Sequence, residues 1–203
     1  PYTTLFRSGQ PAARTVIMEV GSPQASGAAQ CPGSALQYNI VLRNPEPTAI
    51  SGLTLTLTKT EGLSYESVTG AIAAPTSDGW ELSVPTIAAG ALHHIAVSAL
   101  LATGLGSRTS VSTTLCLTAG DAALTNSPVV AVLAHQVDGQ APSVTFDSLP
   151  GEAIAGGLYR FTGAASDSGG SGVAKVQVRQ AGSDDWRTAA GALAWSATLD
   201  TPT

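Results

Sequence analysis

From Leu36 to Leu117 apolar residues alternate with polar ones in short runs, each broken by a turn. Leu36, Tyr38, Ile40 and Leu42 alternate with Gln37, Asn39 and Arg43; Leu53, Leu55 and Leu57 alternate with Thr54, Thr56 and Thr58; Val111, Thr113, Leu115 and Leu117 repeat the pattern. A period of two sends successive side chains to opposite faces, so each run predicts a strand with one buried and one wetted face. The runs are bounded by Asn44-Pro45-Glu46-Pro47, Ser77-Asp78-Gly79 and Ala89-Gly90, residues that supply turn dihedrals or end a ladder. Short strands at this spacing predict an all-β chain built as a β-sandwich.

The same pattern predicts that residues 9 to 137 form one sandwich of roughly seven to nine strands. Its expected core includes Tyr38, Ile40, Leu42, Leu55, Trp80, Leu82, Ile95, Val97, Val111 and Leu115. The Val/Ala run from Val129 to Ala134 is expected to close it as a buried last strand. Ile87 to Leu105 is apolar enough to be weighed as a membrane span, but His93, His94, Ser98 and Thr103 are costly in hydrocarbon. Leu92, Ile95, Ala96 and Ala99 also fall at helical spacing. Flanking glycines leave only a strand-length run, which favours a strand over a helix.

Charged residues make up 11% of the 203-residue chain and the net charge is −5, so no basic field is available for a nucleic acid or an anionic membrane. A hydrophobic content of 43% is enough for one large or two small cores. Pro1-Tyr2-Thr3-Thr4-Leu5-Phe6-Arg7-Ser8 looks like the translation of the end of a common short-read sequencing adapter. Residues 1 to 8 are therefore set aside as non-native, in a chain translated from a fragment of environmental DNA. The alternative is a genuine strand from Tyr2 to Phe6. On the adapter reading the true N-terminus is missing, and the lack of a leader or start Met carries no information.

Tyr38-Asn39-Ile40-Val41-Leu42-Arg43-Asn44, Leu53-Thr54-Leu55-Thr56, Glu61-Gly62-Leu63-Ser64-Tyr65, Trp80-Glu81-Leu82, Ile87-Ala88-Ala89-Gly90 and Ile95-Ala96-Val97 follow one another in an order that resembles the bacterial surface-repeat domain called DUF11. The resemblance spans about Ala35 to Leu117. It implies an immunoglobulin-like sandwich, found in tandem in cell-surface proteins, with no known catalytic residues. Thr58-Lys59-Thr60-Glu61 departs from the family, which often has an Asp and a Pro before this turn.

Val137-Asp138-Gly139-Gln140-Ala141-Pro142 has the composition of a short stiff joint, because Asp-Gly supplies a turn and Pro142 holds its predecessor extended. Residues 138 to 142 are read as a linker and 143 to 203 as a second domain. Leu158-Tyr159-Arg160-Phe161-Thr162-Gly163, Ala165-Ser166-Asp167, Ser171-Gly172-Val173-Ala174-Lys175-Val176-Gln177-Val178, Asp185-Trp186-Arg187-Thr188-Ala189 and Trp195-Ser196-Ala197-Thr198-Leu199-Asp200 resemble the Ig-like repeats of bacterial extracellular proteins. That resemblance makes Trp186 and Trp195 core anchors. Such repeats run to about 85 to 100 residues, so this second Ig-like sandwich is expected to be C-terminally truncated. About five strands should remain, with Phe161, Val176, Val178 and Trp195 partly open to water.

Candidate chemistry is sparse. Asp167-Ser168-Gly169-Gly170-Ser171-Gly172 has the alternating oxygen donors of a calcium loop but a single carboxylate, which favours a plain turn capped by Asp167. Asp184-Asp185 reads as a solvated hairpin tip. His93 and His94 are adjacent and so point to opposite faces of a strand, and His135 stands alone. Gly169-Gly170-Ser171-Gly172-Val173 fails the nucleophile-elbow pattern at its last position. No catalytic residue, metal ligand or cofactor is expected, and the chain is not read as an enzyme.

Cys31 and Cys116 are the two cysteines of a chain whose composition reads as exported, so they are expected to form a disulfide. Closing that loop of about 85 residues would restrict the unfolded chain by roughly 4 to 5 kcal/mol. The alternative is two buried free thiols. The function that fits is a non-catalytic structural or adhesive spacer of a bacterial cell-surface or secreted protein, extracellular, in contact with neighbouring domains of its own chain and with cell-surface or polysaccharide material. The alternative is a carbohydrate-binding accessory module of a large secreted hydrolase, with Trp80, Trp186 and Trp195 as stacking platforms. An aromatic content of 5% is low for such a platform.

Overall fold

The computed structural model describes residues 14–24, 29–106, 110–120, 128–147 and 156–201; the octapeptide 1–8 lies outside them. Every element described is a strand. Among the described residues no helix is long and apolar enough to cross a membrane. The chain divides into two compact units, and it passes from one to the other between Val137 and Asp138.

Among the described residues the first unit is an immunoglobulin-like β-sandwich of nine strands. β1 (Ile17–Gly21), β2 (Ala35–Arg43), β4 (Leu63–Thr69) and β7 (Leu92–Leu101) form one antiparallel sheet in the order β1-β2-β7-β4. The second contains β3 (Leu53–Lys59), β5 (Ile72–Pro75), β6 (Gly79–Val84), β8 (Ser110–Ala119) and β9 (Val129–Gln136), in the order β5-β6-β3-β8-β9. The first sheet has the A-B-E-D order of an immunoglobulin domain, and β8 lies between β3 and β9 as strand F lies between C and G. The apolar window at Ile87 to Leu105 supplies β7, a strand, so its helical spacing is not used.

The period-two residues are the core. Leu36, Tyr38, Ile40 and Leu42 from β2, Leu55 and Leu57 from β3, Ile95 and Val97 from β7, and Val111, Leu115 and Leu117 from β8 are all buried in one cluster. The threonines between the β3 leucines face outward and are half-buried or exposed. Burying a side chain of this size contributes about 1.5–3 kcal/mol, so this cluster is the main source of the unit's stability. Trp80, expected in the core, is only partly buried; it packs against the cluster and stacks on Tyr65 at 5.4 Å.

At Gly70, between β4 and β5, the backbone has φ 82, and a methyl group would run into the His94 carbonyl. Only glycine fits there without strain.

Two expectations about this unit are corrected. β9 is not a buried strand: it is the edge of its sheet, and Val130 and Val132 are 55% and 60% exposed. An edge strand has a neighbour on one side only, so its outward side chains lack the flanking cover a central strand enjoys.

The disulfide is absent too, and Cys31 and Cys116 are free thiols. Cys31 follows Gln30, whose N–H bonds the Gln136 carbonyl at 2.8 Å. Gln136 pairs with Ser110, whereas Cys116 lies far along β8 opposite Val130. At about 3.4 Å per residue that offset is on the order of 20 Å, well beyond the roughly 7 Å a disulfide spans. The pairing was inferred from cysteine count, which carries no register.

The second unit has a three-stranded antiparallel sheet of β10 (Ser143–Phe146), β11 (Gly157–Ser166) and β14 (Ala194–Thr201), in the order β10-β11-β14. A two-stranded ribbon of β12 (Gln177–Val178) and β13 (Arg187–Thr188) accompanies it. Ala165, Val176, Val178, Ala189, Trp195 and Ala197 form its core, with Phe161 packed against them. Val176, Val178 and Trp195 are thus buried rather than open to water, because ribbon and sheet supply facing sides. Solvent reaches Val144 (55%) and Phe146 (44%) on the edge strand β10 instead. Trp186 is not a core anchor: it is 53% exposed, with the Arg179 guanidinium 4.7 Å from its ring centroid.

Candidate functional site

Two groupings of polar side chains are built by the fold, one in each unit. In the first, Tyr38 of β2 and Tyr65 of β4 reach across the sandwich toward Thr113 of β8 and His135 of β9, all four buried. The Tyr65 hydroxyl donates to Thr113 Oγ1 at 3.2 Å. Tyr38 and His135 stack at 5.8 Å between ring centroids. Neither the Tyr38 hydroxyl nor either His135 ring nitrogen has a hydrogen-bond partner of good geometry. Burial pushes the Tyr65 phenol up to about 12 and raises that of Tyr38. Burial pushes the His135 imidazole down, opposed in part by the backbone of Gln24. A general base must reach a substrate proton, whereas this imidazole is enclosed. The grouping is a polar seam in the core.

His93 and His94 point to opposite faces of β7. His93 Nε2 lies 2.6 Å from the Gly70 carbonyl, while His94 is exposed opposite Val41. Among the described residues, no three His, Cys, Asp or Glu side chains gather closely enough to hold a metal ion. A shallow depression of about 390 Å³ on the outer face of the first sheet is lined by Glu19, Val41, Arg43, Gly90 and Leu92. None of these is a histidine or a nucleophile.

The second grouping is a carboxylate clasp around the loop that follows β11. Asp138, the first residue of the expected linker, is buried. Its Oδ1 accepts the Gln140 N–H at 2.9 Å, and its Oδ2 accepts the Ser171 N–H at 2.9 Å together with the Ser171 hydroxyl. Asp167 supplies the other jaw: Oδ1 accepts the Gly169 N–H at 2.9 Å, Oδ2 accepts the Gly172 N–H, and the Ser171 Oγ, whose one proton goes to Asp138, lies 3.1 Å from that Oδ2. Gly169 has to be glycine, because a methyl group there would run into the Asp138 carboxylate. The Ser171 hydroxyl, the Ser171 N–H and the Gln140 N–H hold the Asp138 carboxyl at about 2, well below its ordinary value.

The clasp contains the run read as a possible calcium loop and adds a second carboxylate. Yet all four of its carboxylate oxygens already accept N–H or O–H bonds. Each oxygen is committed to a donor of the loop it closes, so the arrangement works as a brace. Asp167 caps its turn as expected. Asp138 was missed, since a sequence separation of 33 from Ser171 leaves no local signal.

The tryptophans separate into three environments. Trp195 is buried in the second core with its Nε1 unpartnered, Trp80 is half-buried on the first core, and Trp186 alone is exposed. Asp184 and Asp185, at the hairpin tip beside Trp186, are solvated and engage Arg179 and Arg187 respectively.

No protein-family model and no curated protein matches the chain. Among solved structures it is similar to a family 123 glycoside hydrolase from Clostridium perfringens, with 10% identity and a TM-score of 0.42, over 64% of this chain and 28% of that one. It is also similar to the full-length RrgB pilus protein of Streptococcus pneumoniae, with 11% identity and a TM-score of 0.42, over 92% of this chain and 34% of that one. A third is AvmM, which catalyses macrocyclisation in alchivemycin A biosynthesis, with 11% identity and a TM-score of 0.41, over 64% of this chain and 92% of that one. This chain thus spans about a third or less of the hydrolase and the pilus protein.

Proposed function

We propose that this chain is a non-catalytic structural or adhesive spacer module of a bacterial cell-surface or secreted protein, its first unit a DUF11-type repeat and its second a bacterial Ig-like repeat. Its partners on this reading are neighbouring domains of the same protein, and its setting is extracellular. The observation that carries the reading is the use made of the tryptophans. A sugar platform needs two or more coplanar rings on one open face. Here Trp195 is buried, Trp80 is stacked on Tyr65, and exposed Trp186 has Arg179 against its ring. Further support comes from the order of the sequence motifs and from the clasp, whose carboxylates brace a loop rather than face a cleft.

Single-molecule pulling and polysaccharide co-sedimentation test this. The spacer reading expects discrete, reversible unfolding events and no retention on cellulose, chitin or peptidoglycan. Saturable retention that is lost in Trp186→Ala would overturn it in favour of a carbohydrate-binding module.

A further inference from the structure

We infer that β9 is a homotypic docking edge, through which two copies of this chain join their five-stranded sheets by antiparallel β9-to-β9 pairing. This goes beyond the spacer reading and does not depend on it.

The backbone provides the first reason. β9 ends its sheet, and the Gln136 carbonyl points away from β8, toward the Gln30 N–H. Backbone groups of alternate residues point to the same side of a strand, so Val130, Val132 and Ala134 present theirs along that same edge. Among the described residues no strand lies beyond β9 in the sheet.

The other edges carry protection of the kind that blocks strand pairing. β1 contains Glu19; β4 contains Glu66 and a register shift between Tyr65 and Ser67; β5 has four residues and ends in Pro75. In the second unit β10 has four residues and β14 contains Asp200. β9 is eight residues long with no acidic or basic residue other than the inward, buried His135.

The choice of a second copy as occupant comes from the strand's own sequence. Val129-Val130-Ala131-Val132-Leu133 reads nearly the same in both directions about Ala131. A two-fold axis at Ala131 sets Val130 opposite Val132 of the second copy, and Val129 opposite its Leu133. Every apolar side chain then meets an apolar one on its own face, as an isologous interface requires. Val130 and Val132 are the outward-pointing exposed pair. Val129, Ala131 and Leu133 are only half-buried, although Leu117, Leu115 and Thr113, opposite them on β8, are buried. A partner strand would cover both sets. The free stretch is bounded by Pro128, which has no N–H to donate, and by Gln30 at the far end, which confines the register.

Sedimentation velocity on the full chain, under reducing conditions and over a concentration series, tests the inference. The expected result is a reversible monomer–dimer equilibrium. Amide hydrogen exchange at Val130 and Val132 should slow as concentration rises, which needs no variant. Val132→Lys puts like charges near the axis on an exposed face, and should weaken the dimer at least about tenfold without moving the unfolding midpoint measured at concentrations where the chain is monomeric. In a Cys31→Ser, Cys116→Ser background, Ala131→Cys should cross-link to its copy, because opposed non-hydrogen-bonded residues lie about 4.5 Å apart. A chain that stays monomeric throughout, a dimer indifferent to Val132→Lys, or exchange at Val130 and Val132 that ignores concentration would overturn it.

Discussion

Tyr38 and His135 pack 5.8 Å apart across the gap between the two sheets of the first unit, and the imidazole takes its place in the core with no hydrogen-bond partner of good geometry for either nitrogen. Such a ring is tolerated neutral and opposed when charged. Tyr38 is the titratable side chain facing it from the opposite sheet, and it offers no negative charge near neutral pH because burial raises its pKa.

The first unit should therefore lose stability in mild acid. The folded-state pKa of His135 lies below its unfolded value of 6.5, so protons bind the unfolded chain more tightly. The unit is fully stable above about pH 7, and weakens as pH falls through 6.5 toward the folded-state value; each tenfold difference in proton affinity corresponds to about 1.4 kcal/mol. His135→Phe should flatten the urea-midpoint profile between pH 7.5 and 5. A profile unchanged by the substitution would place the acid sensitivity elsewhere.

The clasp predicts a second, more acidic window for the second unit. The folded-state pKa of Asp138, at about 2, lies below its ordinary 3.8, so its contribution is complete above about pH 4 and is lost as pH falls toward 2. Asp138→Asn should lower the unit's melting temperature at pH 7 and remove that acid limb. Gly169→Ala should destabilise it by about 1–3 kcal/mol through the steric clash with the Asp138 carboxylate, while Gly139→Ala at an exposed position should change it little. Melting monitored by near-ultraviolet circular dichroism over pH 2 to 7 measures both effects.

Strand positions were legible wherever one face is buried, since burial imposes the period of two: Tyr38, Ile40 and Leu42 on β2 and Leu55 on β3 lie in the core as read. What remained hidden depends on neighbours. Val130 and Val132 are as apolar as any core residue, and only the sheet order shows that no described strand pairs with β9 on its far side. Asp138 looked like a linker turn because Ser171 is far away in sequence. Cys31 and Cys116 looked like a pair because counting cysteines says nothing of where the fold puts the segment before β2 relative to β8.

Both thiols should accordingly titrate. Under non-reducing denaturing conditions, two thiols per chain should react with a disulfide reagent, and in the folded state exposed Cys31 should react before half-buried Cys116. Cys31→Ser should leave the melting temperature nearly unchanged, whereas loss of a native disulfide typically costs about 2–5 kcal/mol. Recovery of no free thiol from the denatured chain would restore the disulfide.

The last prediction concerns Asn44, the residue that ends the run from Tyr38 and that looks, in sequence, like part of a turn. It is fully buried. Its Nδ2 donates to the Thr48 carbonyl at 2.9 Å and to the Ile87 and Ala88 carbonyls at 3.0 Å, and its Oδ1 accepts the Glu46 N–H at 3.0 Å. One amide thus ties the 44–48 turn to the segment leading into β7. Asn44→Asp keeps the size and the Glu46 bond but turns a donor into an acceptor facing three carbonyls, and it buries a charge. Asn44→Ala loses the bonds without the repulsion. Leaving buried polar groups unpaired costs about 1–3 kcal/mol each, so Asn44→Ala should destabilise the first unit by at least about 2 kcal/mol. Asn44→Asp should cost more at pH 7 and recover part of the loss as pH falls and the carboxyl takes up a proton. If equilibrium denaturation finds the two variants equal at pH 7, the amide is not acting as a donor.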